Sequence, residues 1–276
     1  MKSINGNLQI YVLSTDSEIR NTNLADLLSE LGNYHIISGI NGLRDPKLLD
    51  RVEKKNSSIW LNRDLTPGEI ACAMGHREMI RSAYKDKAKI ALFIEDDARL
   101  TREIVNSLKE SLLLEESPKA IVICYELRNS IFFPKSVLVG ARQKYFKSLS
   151  IPICAQMYAM NFAAITNIAK GWDKNQIETP ADFPPWYADC LTFYFQFPGI
   201  EPLRNDFISK IGDDRFDGLN SSYFRRFSRY SFLTWLHRVR SRVSIRAYAM
   251  YFHGRALNEV LMRIRGAFGL SEFRAK

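Results

Sequence analysis

Cysteine is scarce in this chain, and its spacing excludes the common uses of paired thiols. The four cysteines are Cys72, Cys124, Cys154 and Cys190. No two of them form a Cys-x-x-Cys pair, and none has a nearby histidine at zinc-finger spacing. The spacing therefore favours buried free thiols over disulfides or a zinc site.

Long apolar segments are also missing. No uninterrupted apolar run is long enough to span a bilayer, and the first residues lack the charged, apolar and small-residue regions of a secretory signal. We therefore expect a protein that works in the cytosol. The 276 residues, of which 46% are hydrophobic, are typical of one large α/β domain with an appendage.

Acidic residues are rare at the carboxyl end, where the net charge of +9 is concentrated. Residues 221–276 contain 12 Lys and Arg but two acidic residues, a charge of +10, whereas residues 1–220 carry −1, from 27 basic and 28 acidic residues. We therefore divide the chain into a main domain, residues 1–220, and a basic tail, residues 221–276. Such a tail favours an anionic partner, either phosphate-bearing lipid or nucleic acid.

The tail has the pattern of two amphipathic helices. Apolar side chains recur at helical spacing from Phe232 to Met250 and from Leu257 to Phe268, with arginines beside them. Helices of this kind can lie in the interface of an anionic membrane. A helical hairpin that packs on the main domain, with its arginines in solvent, explains the pattern equally well, and the two interpretations are compatible.

Strand and helix patterns alternate along the first half of the chain. Strands are predicted at Leu8–Leu13, Tyr34–Ile37, the segment ending at Glu95, Ala120–Tyr125, Phe132–Val139 and Ile153–Met160. Two helices are predicted with both ends, at Leu24–Leu31 and Phe162–Ala169. Two more are predicted to begin near Thr66 and near Asp182, and another contains Ile104, Leu108 and Leu112. The loop 43–64 is predicted to contain a short helix. The β-α-β opening favours a parallel sheet with right-handed crossovers.

The segment Leu65–His76 predicts a capped helix start. Thr66 can accept the first free amide, Pro67 suits the first turn, and Glu69 completes a Thr-x-x-Glu capping box.

Three consecutive carboxylates, Glu95, Asp96 and Asp97, end a predicted buried strand. Side chains alternate along a strand, so Glu95 and Asp97 should point to one side and Asp96 to the other. Packed like charges repel, and a fold tolerates them best around a cation or a polar ligand. Two carboxylates at the carboxyl end of a parallel strand can hold a hard divalent cation and a diphosphate. The alternative is that the acidic cluster caps the following helix.

Together these two segments resemble the signature of glycosyltransferase family 25, the lipooligosaccharide galactosyltransferases. That signature is approximately L-[ST]-x-G-E-x-[GA]-C-x-x-[SG]-H, followed by an apolar strand and E-D-D. Further similar segments are Ile10–Ser14, Gly39–Gly42, Gln156–Met160, Thr179–Asp182 and Ile208–Asp214, so the resemblance runs from about residue 8 to about residue 215. Gly75 and Met157 depart from the usual family residues, and we expect them to touch the nucleotide or the sugar.

The resemblance implies a GT-A-like nucleotide-diphospho-sugar transferase fold, of class α/β with a Rossmann-like, mostly parallel sheet. The implied activity is metal-dependent, inverting transfer of galactose from UDP-galactose to a lipooligosaccharide or lipopolysaccharide core or a similar glycan. Mn²⁺ or Mg²⁺ would lie at Glu95 and Asp97. A carboxylate would act as general base on the acceptor hydroxyl, with Asp182 as first candidate and Asp189 as second. Asp182 serves almost equally well as the cap of the helix at Pro184.

The resemblance also implies residues that contact the donor: Tyr11, Ser14, Glu69, His76, Asp96 and Tyr158. Tyr11 and Ser14 would meet the uracil and the ribose, and His76 the phosphates or the surroundings of the metal. For Glu69, we favour a role in helix capping over a contact with the donor. The acceptor would be a lipid-linked oligosaccharide at the cytosolic face of the inner membrane, where the tail would attach the protein peripherally, and no nucleic acid partner is expected.

Two other functions remain open at the level of sequence. A sugar nucleotidylyltransferase also places acidic residues on a metal and a nucleotide, but the segment after the first strand, from Ser14 to Glu18, lacks the glycines and lysine that cradle a triphosphate. A nucleic-acid-binding protein would use the basic tail, in which Tyr230 and Trp235 could stack on bases, but no RNA or DNA motif accompanies them.

Overall fold

A computed structural model describes much of the main domain and one residue of the tail. The described residues are 8–15, 19, 21–41, 57–58, 63–109, 111–125, 132–139, 143–152, 155–175, 177, 183–200 and 244. The predictions made for the loop 43–64, for Asp182 and for the two tail helices fall largely or wholly outside these residues.

The described helices begin where the sequence supplies caps. They are α1 (Thr22–Leu31), α2 (Pro67–Lys85), α3 (Arg102–Lys109), α4 (Phe162–Trp172) and the short α5 (Tyr187–Cys190), with a 3₁₀ turn at Leu112–Leu114. The Asn21 side chain caps α1, and Gly32 ends it in the left-handed conformation that glycine adopts readily. The helix predicted through Leu112 is shorter, because it ends at Lys109 and a separate turn follows.

Eight of the described strands form one sheet. The strands are β1 (Leu8–Ser14), β2 (Tyr34–Ser38), β3 (Ser57–Ser58), β4 (Arg63–Asp64), β5 (Ile90–Glu95), β6 (Lys119–Cys124), β7 (Phe132–Val139), β8 (Gln143–Ser148), β9 (Met157–Asn161) and β10 (Thr192–Ile200). The order in the sheet is β2-β1-β5-β9-β6-β10-β8-β7, and β3 pairs separately with β4. This arrangement confirms the α/β class.

The sheet is mixed, whereas the β-α-β opening favoured a parallel sheet and the family resemblance implied a mostly parallel one. The pairs β1–β2, β1–β5 and β6–β10 are parallel, and the four pairs made by β8 and β9 are antiparallel. Strand β9 lies between β5 and β6 and runs against both. It leads directly into α4, whose first turn is capped by the side chain of Asn161.

Side-chain alternation divides the core into two layers, one on each face of the sheet. Leu13 and Phe93 pack with α2 and α4, whereas Val12 and Ile94 pack with α1 and α3. Glu95 follows Phe93 by two residues, so the strand period directs it to the α2 face. Among the described residues, no helix combines the length and the apolar character needed to cross a bilayer.

Candidate active site

The carboxylate segment lies at the carboxyl edge of the sheet, beside the end of β1. Strands β1 and β5 are parallel, with Leu13 opposite Glu95. The chain then turns at Asp96 and Asp97, and the turn is closed by the Ala98 amide, which donates to the Glu95 carbonyl at 3.0 Å. Polar ligands of open α/β sheets bind at such an edge.

Helix α2 presents two side chains to Glu95. Cys72 and His76 are four residues apart, one helical turn, and therefore lie on the same face. The Nε2 atom of His76 is 3.3 Å from Oε1 of Glu95, and the Cys72 thiol donates to the same oxygen at 3.7 Å. His76 is buried, whereas the Glu95 side chain is 22% exposed. The cluster thus joins a helix to a strand end while staying in reach of solvent.

Tyr158 fixes the second nitrogen of the imidazole. Its hydroxyl lies 3.1 Å from Nδ1 of His76, and its ring is buried between Phe93 and Phe183. Burial raises the pKa of Tyr158 well above its ordinary value, and the charge on Glu95 adds to the effect. The hydroxyl therefore stays protonated at neutral pH and holds the imidazole plane in place.

Asp96 faces away from this cluster. Its Oδ2 accepts a hydrogen bond from the Ser14 hydroxyl at 2.7 Å, and both residues are buried. Its amide donates to the Leu13 carbonyl at 3.1 Å, so the residue ties the turn to β1. The prediction that Glu95 and Asp96 point to opposite sides agrees with these partners, and the structure brings Ser14 and Asp96 together.

Asp97 is partly exposed and is held from the loop before β9. Its Oδ1 accepts a hydrogen bond from the Gln156 amide at 2.9 Å, and Gln156 in turn accepts from the Cys124 thiol at 3.1 Å. Glu95 and Asp97 are thus the two partly exposed carboxylates of the segment, while Asp96 is buried. This difference in exposure fits a hard cation bound at the outer two residues. That they converge on one ion stays a prediction.

Two of the predicted donor-contact residues, Tyr11 and Glu69, make hydrogen bonds within the fold. Tyr11 is fully buried, and its hydroxyl bonds to Asp86 at the carboxyl end of α2, at 2.8 Å. Burial, with the hydrogen bond to Asp86 and its charge, raises the pKa of Tyr11. Glu69 closes the capping box, because its Oε2 accepts the Thr66 amide at 2.9 Å while its own amide donates to the Thr66 hydroxyl. The structure does not bring Tyr11 to the His76 cluster.

The two residues that depart from the family pattern have packing roles. A Cβ atom on Gly75 would lie 2.5 Å from Cδ1 of Leu13, so the glycine lets α2 approach β1 closely. Met157 is fully buried in the core layer of α1 and α3, on the opposite face from His76. The expectation that both residues touch the nucleotide or the sugar is therefore corrected to core packing.

Of the two candidate bases, Asp182 lies outside the described residues. Asp189 is exposed in the short helix α5. Its Oδ2 accepts the backbone amide of Ser244 at 3.0 Å, and its Oδ1 accepts the Ser244 hydroxyl. The second candidate is thus held by a residue of the tail.

Sequence reasoning missed Cys72 as a site residue and missed the aromatic wall of the site. His76 and Tyr158 line a small pocket with Ala73, Trp172, Phe183, Pro184 and Tyr187. The indole of Trp172 donates to the Tyr187 hydroxyl at 3.0 Å. The signal for Cys72 is its four-residue spacing from His76 on a capped helix, whereas the aromatic residues belong to elements distant in sequence and give no local signal.

Comparison with known proteins gives one match and one negative result. The family model described as glycosyltransferase family 25 (LPS biosynthesis protein) matches residues 7–161. That span contains β1, α2, the carboxylate segment and Tyr158. The search of curated proteins found no match to the chain.

Proposed function

Because the chain belongs to glycosyltransferase family 25, a family of LPS biosynthesis proteins, we propose that it transfers galactose from UDP-galactose, with inversion, to a saccharide of the lipooligosaccharide or lipopolysaccharide core. Family membership makes the protein a glycosyltransferase, with a nucleotide-sugar donor and a glycan acceptor. The observation that supports the site assignment is the contrast between the partly exposed Glu95 and Asp97 and the buried Asp96 between them.

Glu95 and Asp97 are the proposed ligands of Mn²⁺ or Mg²⁺. Both carboxylates lie at the carboxyl edge of the sheet, and hard divalent cations prefer oxygen ligands. A cation held there would neutralise the charge that develops on the departing nucleoside diphosphate. The side chains around the two carboxylates would hold them in position for the cation.

His76 and Tyr158 position Glu95 in this proposal. The imidazole is bonded on one side to Tyr158 and on the other to Glu95, so the carboxylate has a fixed partner before the donor arrives. Ser14 and Asp96 hold the end of β1 to the turn and thereby shape the floor on which the nucleoside would lie. Preorganisation of this kind lowers the cost of reorganisation in the transition state.

A carboxylate that removes the proton from the acceptor hydroxyl completes the proposed single displacement. Asp182 is the first candidate, and Asp189 is the second. The hydroxyl oxygen of the acceptor attacks the anomeric carbon, the bond to the diphosphate breaks, and the proton passes to the carboxylate. No covalent enzyme intermediate is needed for inversion.

The acceptor and the tail define the proposed location. A lipid-linked oligosaccharide presents its sugars at a membrane, and the tail of charge +10 would attract an anionic lipid surface. We therefore propose peripheral attachment at the cytosolic face of the inner membrane.

Replacement of Asp97 tests the metal assignment. Asp97→Asn keeps the size of the side chain and removes its charge, so we expect Mn²⁺-dependent transfer from UDP-galactose to fall roughly a hundred- to a thousandfold, with the urea unfolding midpoint unchanged. Asp26→Asn, an exposed acidic residue of α1, is the matched control and should keep full activity. Transfer is measured across UDP-, GDP- and CMP-sugars with Mn²⁺ and with chelator. Near-normal turnover of Asp97→Asn, or full wild-type activity in chelator, would overturn the assignment.

A further inference from the structure

Three different metal-binding groups meet between α2 and β5. Cys72, His76 and Glu95 each offer one ligand atom, and these atoms all lie within 4.8 Å of one another. We propose that the thiol, the imidazole and the carboxylate form a binding site for Zn²⁺, separate in chemistry from the hard cation proposed at Glu95 and Asp97. The two sites share Glu95, but the zinc site does not depend on the proposed transfer reaction.

Two of the three distances between the ligand atoms match edges of a zinc tetrahedron. Zinc binds nitrogen and oxygen at about 2.0–2.2 Å and sulfur at about 2.3 Å, so tetrahedral angles separate N from O by about 3.4 Å and S from O by about 3.6 Å. The structure has 3.3 Å from Nε2 of His76 to Oε1 of Glu95, and 3.7 Å from Sγ of Cys72 to the same oxygen. A cation can therefore replace the two hydrogen bonds with small side-chain shifts.

The two ligands from α2 lie on a rigid element. Cys72 and His76 are one turn apart on a helix of 19 residues that is capped at its start and packs against β1, β5 and α4. Glu95 is the last residue of β5, a strand in the interior of the sheet. Sites built on helices and strands hold their geometry better than sites on loops.

The surroundings of His76 are those of a metal ligand. An imidazole that binds zinc commonly donates its other N–H to an oxygen atom, which fixes its tautomer and orientation. The Tyr158 hydroxyl oxygen lies 3.1 Å from Nδ1 of His76 and can accept that proton, which leaves the Nε2 lone pair directed at Glu95. Cys72 and Glu95 are both partly exposed, so an ion has an entry path and water can fill the fourth position.

The donor set selects the class of metal. Thiolate and imidazole ligands favour zinc over the hard cations Mg²⁺ and Mn²⁺, which prefer carboxylate, carbonyl and water oxygens. Binding replaces the thiol proton of Cys72 by the metal, and that proton is released to solvent. The same event removes one oxygen of Glu95 from the hard-cation site.

The full-length protein, stripped with chelator, is titrated with Zn²⁺ against a chromophoric indicator and with Co²⁺ as a spectroscopic probe. We expect one Zn²⁺ per chain, release of a proton, and a thiolate-to-cobalt absorption band. Cys72→Ser should remove the band and weaken Zn²⁺ binding at least about a hundredfold, and Tyr158→Phe should weaken it about ten- to a hundredfold. Cys190→Ser, which changes a partly exposed free thiol on α5, is the matched control and should bind like the wild type.

Circular dichroism of each variant separates loss of a ligand from loss of the fold. The zinc site is overturned if the wild type shows no saturable Zn²⁺ binding, or if a folded Cys72→Ser protein binds as tightly as the wild type. Asp97→Asn distinguishes the two proposals, because it should lose Mn²⁺-dependent transfer and keep Zn²⁺ binding. Transfer without zinc binding would overturn the zinc site alone, and zinc binding without transfer would overturn the proposed function alone.

Discussion

At the scale of the residue, three adjacent carboxylates meet three different environments. Glu95 faces a thiol and an imidazole, Asp96 is buried against the hydroxyl of Ser14, and Asp97 accepts from the amide of Gln156. A carboxylate that is buried loses its hydrating water. For Asp96, the hydrogen bond from Ser14 partly replaces that water. The two outer carboxylates are therefore the ones that solvent can reach.

The base of the proposed reaction is tested by a pair of variants. Asp182→Asn should slow transfer to the acceptor roughly a hundred- to ten-thousandfold, because a general base acts on the acceptor hydroxyl, while the affinity for UDP-galactose stays close to that of the wild type. Asp189→Asn is the matched variant and should retain transfer. Single-turnover transfer and equilibrium donor binding are measured side by side. If Asp182→Asn loses only thermal stability, Asp182 is a helix cap and Asp189 becomes the candidate.

Buried tyrosine makes stability depend on alkaline pH. Burial raises the pKa of Tyr125 to about 12, and its hydroxyl donates to the Gln196 carbonyl at 2.7 Å. In the unfolded chain the group loses its proton near pH 10, so between these pH values the unfolded state binds fewer protons and the free energy of unfolding falls as pH rises. The contribution is complete below about pH 10 and is lost as the pH rises through about 12.

Urea unfolding of Tyr125→Phe between pH 8 and 11.5 measures this contribution. The variant should be less stable at pH 8 by about 1 kcal/mol, for the lost hydrogen bond, and its stability should fall less steeply above pH 10 than that of the wild type. Tyr84→Phe changes an exposed tyrosine and is the matched control. Parallel pH profiles for Tyr125→Phe and the wild type would contradict the assignment.

At the scale of the element, the start of α2 was predictable because its signals are local. Thr66, Pro67 and Glu69 lie within four residues, and the structure contains the capping box that they predict. The mixed sheet was not predictable in the same way, because the insertion of β9 between β5 and β6 depends on pairings more than 30 residues apart in sequence. The cluster of Cys72, His76 and Glu95 was not predicted for the same reason, since Glu95 lies on another element than the two helix residues.

Two variants of Glu69 test whether its side chain stabilises the start of α2 or binds the donor. Glu69→Gln preserves the capping box, so it should keep both the stability and the UDP-galactose affinity of the wild type. Glu69→Ala should lower the free energy of unfolding by about 1 kcal/mol and leave turnover per folded molecule unchanged. Urea unfolding and donor titration of both variants give the two quantities. A loss of donor affinity in Glu69→Gln, with stability intact, would instead assign Glu69 to the donor.

At the scale of the whole molecule, the one tail residue that the structure describes contacts the main domain. Ser244, in residues 221–276, donates its amide and its hydroxyl to Asp189 on α5. This contact favours a tail that packs on the main domain at that point. It leaves the concentration of positive charge in the tail unexplained, because a packing role needs few arginines, whereas attraction to an anionic surface gains about 1 kcal/mol from each basic residue near it.

Truncation after Asn220 separates the two roles of the tail. The full-length protein should float with vesicles that contain anionic lipid, and added salt should weaken the association because exposed charges are screened. The truncated protein should stay in solution and transfer slowly to a lipid-linked acceptor, yet use a small soluble acceptor almost as well, since the carboxylate segment lies upstream. Equal flotation of both proteins would contradict membrane attachment. A truncated protein that is inactive on both acceptors would show that the main domain needs the tail for its folded structure, in line with the contact at Ser244.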